Sequence, residues 1–115
     1  MFVASQQARI WLRTEPTDMR KSFNGLSALV KSQLEQDPLS GHYFVFVNRR
    51  KTMMKVLYFE SSGYCVWSKR LEQGQFQVRT SPTGQRCLTW TDLQLLLEGI
   101  EVQKMRTFKR YRHAA

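Results

Sequence analysis

The chain has 115 residues, 42% of them hydrophobic and 12% aromatic, with 18 Lys and Arg against 9 Asp and Glu and a formal net charge of +9. That length fits one domain rather than two, and that composition supplies a core, which argues against wholesale disorder. No run approaches the roughly 20 apolar residues of a membrane span, Arg9 and Arg13 break the apolar stretch near the start, and two cysteines make no disulfide framework; a bacterial cytoplasmic or nucleoid location is expected.

Ala8 to Arg13 has the pattern of a short first strand, and Pro16 then breaks the chain. Thr17 or Asp18 is suited to cap a helix, because its side-chain oxygen can accept an orphan backbone N–H. Met19, Phe23, Leu26, Val30 and Leu34 recur at helical spacing and predict one long helix over about 19–36 with a single apolar face. Asp37-Pro38 ends it, and Ser40-Gly41 completes a turn.

Three strand-like runs follow. His42 to Asn48 is apolar on both faces, which places it centrally in a sheet. Asn48 to Lys51 forms a basic hairpin loop. Thr52 to Glu60 alternates Met54, Val56 and Tyr58 against Lys55, Leu57 and Phe59. A turn at 61–63 leads into Tyr64 to Leu71, with Cys65, Trp67 and Lys69 alternating against Tyr64, Val66 and Ser68. Gln75 to Arg79 is a candidate edge strand, and 80–87 a polar loop. Thr89 or Thr91 caps a second helix near 90–98, with Leu93, Leu96 and Leu97 inward and Gly99 at its end. The expected fold is a single α+β domain over 1–101, an antiparallel meander packed against one long and one shorter helix. Residues 102–115 form a basic tail, either a terminal helix or a flexible arm, with Phe108 and Tyr111 as anchors.

The charge is concentrated. Residues 42–70 carry six bases and one acid, and residues 102–115 carry five bases and no acid. The segments 1–41 and 71–101 net +1 and −2. A like-charged block repels itself, so its usual benefit is attraction to a polyanion, first nucleic acid and then an anionic membrane surface. In a meander, Arg49, Arg50 and Lys51 share one loop, Lys55 lies on the strand leaving it, and Lys69 and Arg70 end the next strand beside it. Their charges are expected to sum over one patch that pairs with phosphates without reading sequence. Lys104, Arg106, Lys109, Arg110 and Arg112 form a second candidate patch. With roughly four to six phosphates neutralised, log K should fall with log salt at a slope of about −4 to −5. The competing structural role is a charged hairpin that keeps a sheet edge from aggregating.

A catalytic set is not evident. His42 and His113 lie at opposite ends, and Cys65 and Cys87 lack zinc-site spacing. Asp18, Glu60, Asp92 and Glu98 form no recognisable two-metal cluster, and a small nuclease would need them brought together in space. No enzyme activity, metal or cofactor is expected. The other class of role is a protein–protein adaptor, with Trp11, Trp67 or Trp90 as exposed anchors. A homo-oligomer is compatible with either.

Three blocks carry a resemblance. They are Asp18-Met19-Arg20-Lys21-Ser22-Phe23-Asn24-Gly25-Leu26; Asp37 to Phe46, running on through Asn48-Arg49-Arg50-Lys51 and Lys55-Val56-Leu57-Tyr58; and Trp67 to Phe76. Leu88-Thr89-Trp90 and Leu96 to Ile100 add a weaker echo. In this order and spacing the chain resembles the small TnpB-type accessory protein encoded by the second open reading frame of bacterial insertion sequences of family sixty-six. Asn24 stands where that family usually has an acid, Gln77-Val78 where Trp-Pro often follows the phenylalanine, and the tail after 101 matches no family motif. The resemblance implies a part in DNA transposition beside a separate, larger transposase of the same element. With the basic patches it implies a non-catalytic factor that contacts DNA, or an adaptor for the transposase that does not.

Overall fold

Tyr43–Val47 (β2) is buried along its whole length, as expected of a run that is aromatic or β-branched on both faces. In the computed structural model, which describes residues 7–99, it is the middle strand of five. The others are Ile10–Arg13 (β1), Met53–Glu60 (β3), Gly63–Arg70 (β4) and Gln85–Leu88 (β5); the helices are Phe23–Ser32 (α1) and Trp90–Leu97 (α2). The strand order is β4-β3-β2-β1-β5. The meander β2–β3–β4 is antiparallel, as the sequence implied. β1, however, runs parallel to β2, so the sheet is mixed. Parallel neighbours need a crossover, and α1 lies on it.

Alternation along the strands divides the core in two. Phe44, Phe46 and Leu57 face α1 and pack with its Leu26 and Val30 and with Leu34 beyond it. Ile10, Leu12, Tyr43, Val45, Val47, Met54, Val56 and Tyr58 face the other way, onto Leu93, Leu96 and Leu97 of α2 and onto Phe76 and Val78. Each such side chain contributes about 1.5–3 kcal/mol by leaving water, so one helix per face is what holds the sheet.

Three expectations need correction. α1 begins at Phe23, not near Met19, and Ser22 precedes it without a side-chain cap bond. Asp18 instead closes its own turn: its carboxylate accepts from the backbone N–H of Arg20, and its carbonyl from that of Lys21. Short polar side chains compete with helices in this way. Thr17 is buried at the end of the sheet, where its N–H donates to the Val47 carbonyl. The helix also ends early. Glu35 takes a left-handed φ of 53° and the Gln36 N–H reaches back to the Val30 carbonyl, a reversal that stops the helix before Asp37-Pro38.

Second, Gln85–Leu88, which overlaps the polar loop expected over 80–87, is β5 and pairs antiparallel with β1. Third, Gln75 to Arg79 is not a strand. It is an irregular strap whose Phe76 and Val78 are buried under the α2 face. α2 carries the expected cap at Thr89: the Asp92 N–H donates to the Thr89 hydroxyl and the Thr89 N–H to the Asp92 carboxylate, both at 3.0 Å. The basic tail over 102–115 lies outside the described residues.

Candidate nucleic-acid interface

The hairpin joining β2 to β3 is fixed by its backbone. Asn48 Oδ1 accepts from the N–H groups of Thr52 and Met53 at 2.9 and 3.0 Å. Lys51 adopts a left-handed φ of 59° and its N–H bonds back to the Asn48 carbonyl. The strap supports the loop from the α2 side. The Phe76 N–H donates to the Lys51 carbonyl at 2.7 Å, and Gln75 Nε2 donates to the Arg50 carbonyl at 2.8 Å. Lys51 Nζ returns a bond to the Val78 carbonyl. The tip residues Arg49 and Arg50 are exposed on this clamped backbone, and neither guanidinium is hydrogen-bonded among the described residues.

The other expected site residues are committed elsewhere. Lys55 Nζ donates to the carbonyls of Met19 and Lys21, both at 2.8 Å, and so ties the segment before α1 to the sheet. Lys69 Nζ donates to the Leu97 carbonyl at 2.7 Å. A cation there satisfies an orphan carbonyl and complements the negative end of α2. Arg70 is exposed and pairs with Glu72 at 3.0 Å, a surface ion pair of small energetic weight. The six bases do gather toward one end of the sheet. They do not share a face: Lys55 reaches the α1 side, whereas Lys69 sits opposite Met54 and reaches the α2 side. The hairpin tip lies between these two anchors. Lys104, Arg106, Lys109, Arg110 and Arg112 fall outside the described residues.

Arg20 and Lys21 join this end of the sheet, which composition did not reveal. The signal was Lys55 itself, a lysine on the strand face that buries Leu57; such a group needs a polar partner. Arg20 is bound to Asp18 by Nε and Nη2 at 2.7 to 3.1 Å. Its side-chain hydrogen bond lowers the Asp18 carboxyl from 3.8 to about 2 and raises the Arg20 guanidinium. On the α2 face, burial pushes the Tyr58 phenol up.

Among the described residues no three His, Cys, Asp or Glu side chains come together as metal ligands. His42 Nδ1 accepts from the Arg9 backbone N–H, a structural use. Trp11, Trp67 and Trp90, expected to be exposed, are instead half-buried and pack against the two cores. Among the described residues, the large apolar side chains that are exposed are Phe23 at 45% and Leu39 at 55%. No helix among the described residues is long and apolar enough to cross a membrane.

A mixed-sheet α+β domain with a helix on each face and one clamped basic hairpin is the class of protein defined by these features. The chain belongs to the family described as IS66 Orf2 like protein, whose model matches residues 8–107. It is similar to two proteins of Sinorhizobium fredii (strain NBRC 101917 / NGR234), uncharacterized protein y4hO and uncharacterized protein y4jC. Each is 35% identical over 101 residues, which is 88% of this chain and 88% and 86% of theirs. No solved structure matches the chain. The family ties the chain to transposition of IS66-type insertion sequences, as the accessory product of the second open reading frame.

Proposed function

We propose that this chain is a non-catalytic accessory factor of transposition that contacts DNA through the hairpin end of its sheet and works in the bacterial cytoplasm beside the transposase of the same element. One observation carries the proposal: two arginines, Arg49 and Arg50, are exposed on a loop whose backbone is held by Asn48 on one side and by the 75–78 strap on the other. A rigid cationic tip meets phosphates with little ordering cost, and arginine suits their planar oxygen pairs. Lysines 51, 55 and 69 hold backbone carbonyls, so they are weaker phosphate ligands than their charge suggests.

The contact is therefore smaller than the count of bases implies. About two to three phosphates engaged by the described residues give a slope of log K against log salt of roughly −2 to −3; a steeper slope would measure the contribution of 102–115. The test is fluorescence anisotropy of the full chain on a labelled duplex across a salt series. Salt-dependent binding that weakens uniformly across sequences in the double variant Arg49→Ala, Arg50→Ala supports the proposal. Absence of binding, with the transposase still co-purifying after nuclease treatment, replaces it with the adaptor role.

A further inference from the structure

The two edges of the sheet are built differently. β5 has four residues and carries the exposed Arg86; shortness and charge are common guards against another strand adding to an edge. β4 is the outermost strand on the other side. It has eight residues, pairs with β3 without a break from Gly63 to Arg70, and contains neither proline nor bulge. Gly63 to Ser68 carry no charge. The two cations that follow are already committed, Lys69 to the Leu97 carbonyl and Arg70 to Glu72. A long, unbroken edge of this kind is a template for pairing.

The ladder fixes which backbone groups are open. The Leu71 N–H donates to the Thr52 carbonyl at 2.8 Å, one step beyond the pairing of Arg70 with Met53. Bonded and unbonded pairs alternate in an antiparallel ladder, so Gly63, Cys65, Trp67 and Lys69 bond to β3. The N–H and C=O groups of Tyr64, Val66, Ser68 and Arg70 point away from the sheet, and none has a backbone partner among the described residues.

The strand is complementary to itself. Antiparallel pairing of two copies about Trp67 sets Tyr64 against Arg70 and Val66 against Ser68, which uses all four outward residues of each copy. Lys69 falls opposite Cys65, so no two cations are opposed, and the Arg70 guanidinium comes beside the Tyr64 ring, a favourable pair. In-register parallel pairing would instead set Lys69 and Arg70 against their own copies. We propose that β4 is a dimer edge, to which a second copy of this chain adds its own β4 antiparallel across a two-fold axis at Trp67, joining the two sheets into one. A two-fold contact uses the same surface twice, as this register does. Each hairpin tip lies at the Arg70 end of its β4, so the two tips lie at opposite ends of the joined sheet. The dimer edge does not depend on the DNA contact.

The test is sedimentation equilibrium of the full chain without DNA, with amide exchange followed by NMR. The wild-type chain should be dimeric by about 100 μM. In the dimer the N–H groups of Tyr64, Val66, Ser68 and Arg70 should exchange slowly, and dilution should restore fast exchange. Ser68 is exposed and its N–H lies outside the β3 ladder. Ser68→Pro therefore removes one outward donor per copy without breaking the sheet, and should raise the dimer Kd about 10-fold or more. Ser68→Lys keeps every backbone donor but brings two lysines diagonally across the axis, and should weaken the dimer more at low salt than at high salt. A wild-type chain still monomeric at about 100 μM overturns the proposal. So does a dimer that both Ser68 variants leave intact, or one whose four outward amides exchange as fast as in the monomer, because either result puts the contact on another surface.

Discussion

The lysines of the β-strands and the arginines of the hairpin tip belong to one basic block and carry the same formal charge, yet the fold uses them in opposite ways. Lys55 and Lys69 point to opposite faces and donate to carbonyls, of the pre-α1 segment in one case and of the α2 C-terminus in the other. Arg49 and Arg50 are exposed at the tip. What separates the two sets is backbone supply. Where a strand face meets the end of a helix or an irregular segment, unpaired carbonyls need donors, and a long cationic side chain provides them. At the tip the carbonyls of Arg50 and Lys51 already receive bonds from the strap, so the arginines are left to solvent. Formal charge is therefore a poor measure of the charge available to a partner.

Variants at the two sets should separate, and the strap that supports the tip should matter most. Phe76 is fully buried and anchors the strap. Phe76→Ala is expected to cost about 3–5 kcal/mol by urea denaturation and to speed hydrogen exchange in the hairpin; unchanged exchange there would show that the strap does not hold the tip. Lys55→Met and Lys69→Met each remove charge-assisted bonds to carbonyls and should cost about 1.5–3 kcal/mol. A cost under about 0.5 kcal/mol, typical of exposed positions, would class them with the tip arginines. The double variant Arg49→Ala, Arg50→Ala should in turn cost less than about 0.5 kcal/mol.

The smallest effect concerns the Asp18–Arg20 pair. Because the folded carboxyl is lowered to about 2 from 3.8, its contribution to stability is present above pH 3.8 and fades as pH falls through about 2. The pair is exposed, so solvent screening keeps that contribution small. Carboxyl NMR titration should return Asp18 toward 3.8 in Arg20→Ala, and an unmoved midpoint would assign the shift to some other group.

Much of the fold was legible because local pattern and burial agree. The run Tyr43 to Val47 is aromatic or β-branched on both faces and is the central strand, and Thr89 with Asp92 spells out a helix start. The start of α1 was obscured because the Asp18 carboxylate closes a local turn that mimics a cap. β5 was obscured because Gln85-Arg86-Cys87-Leu88 lacks alternating apolar residues, and its pairing with β1 is set by a strand more than seventy residues earlier in the chain. At the site, the hairpin loop and its bases were visible in sequence. Which of them stay available was not, since the carbonyls that occupy Lys51, Lys55 and Lys69 lie 27 to 36 residues away. Lys21 was missed for the same reason, because only the tie from Lys55 brings it to the hairpin end.

The central claim is that the tip arginines, and not the strand lysines, meet DNA. The most direct test is the salt dependence of duplex binding for three chains: wild type, Arg49→Ala with Arg50→Ala, and Lys69→Met. The arginine variant should lose about two units of slope, one for each phosphate contact removed, while Lys69→Met keeps the wild-type slope. An unchanged slope in the arginine variant, or an equal loss in Lys69→Met, would contradict it.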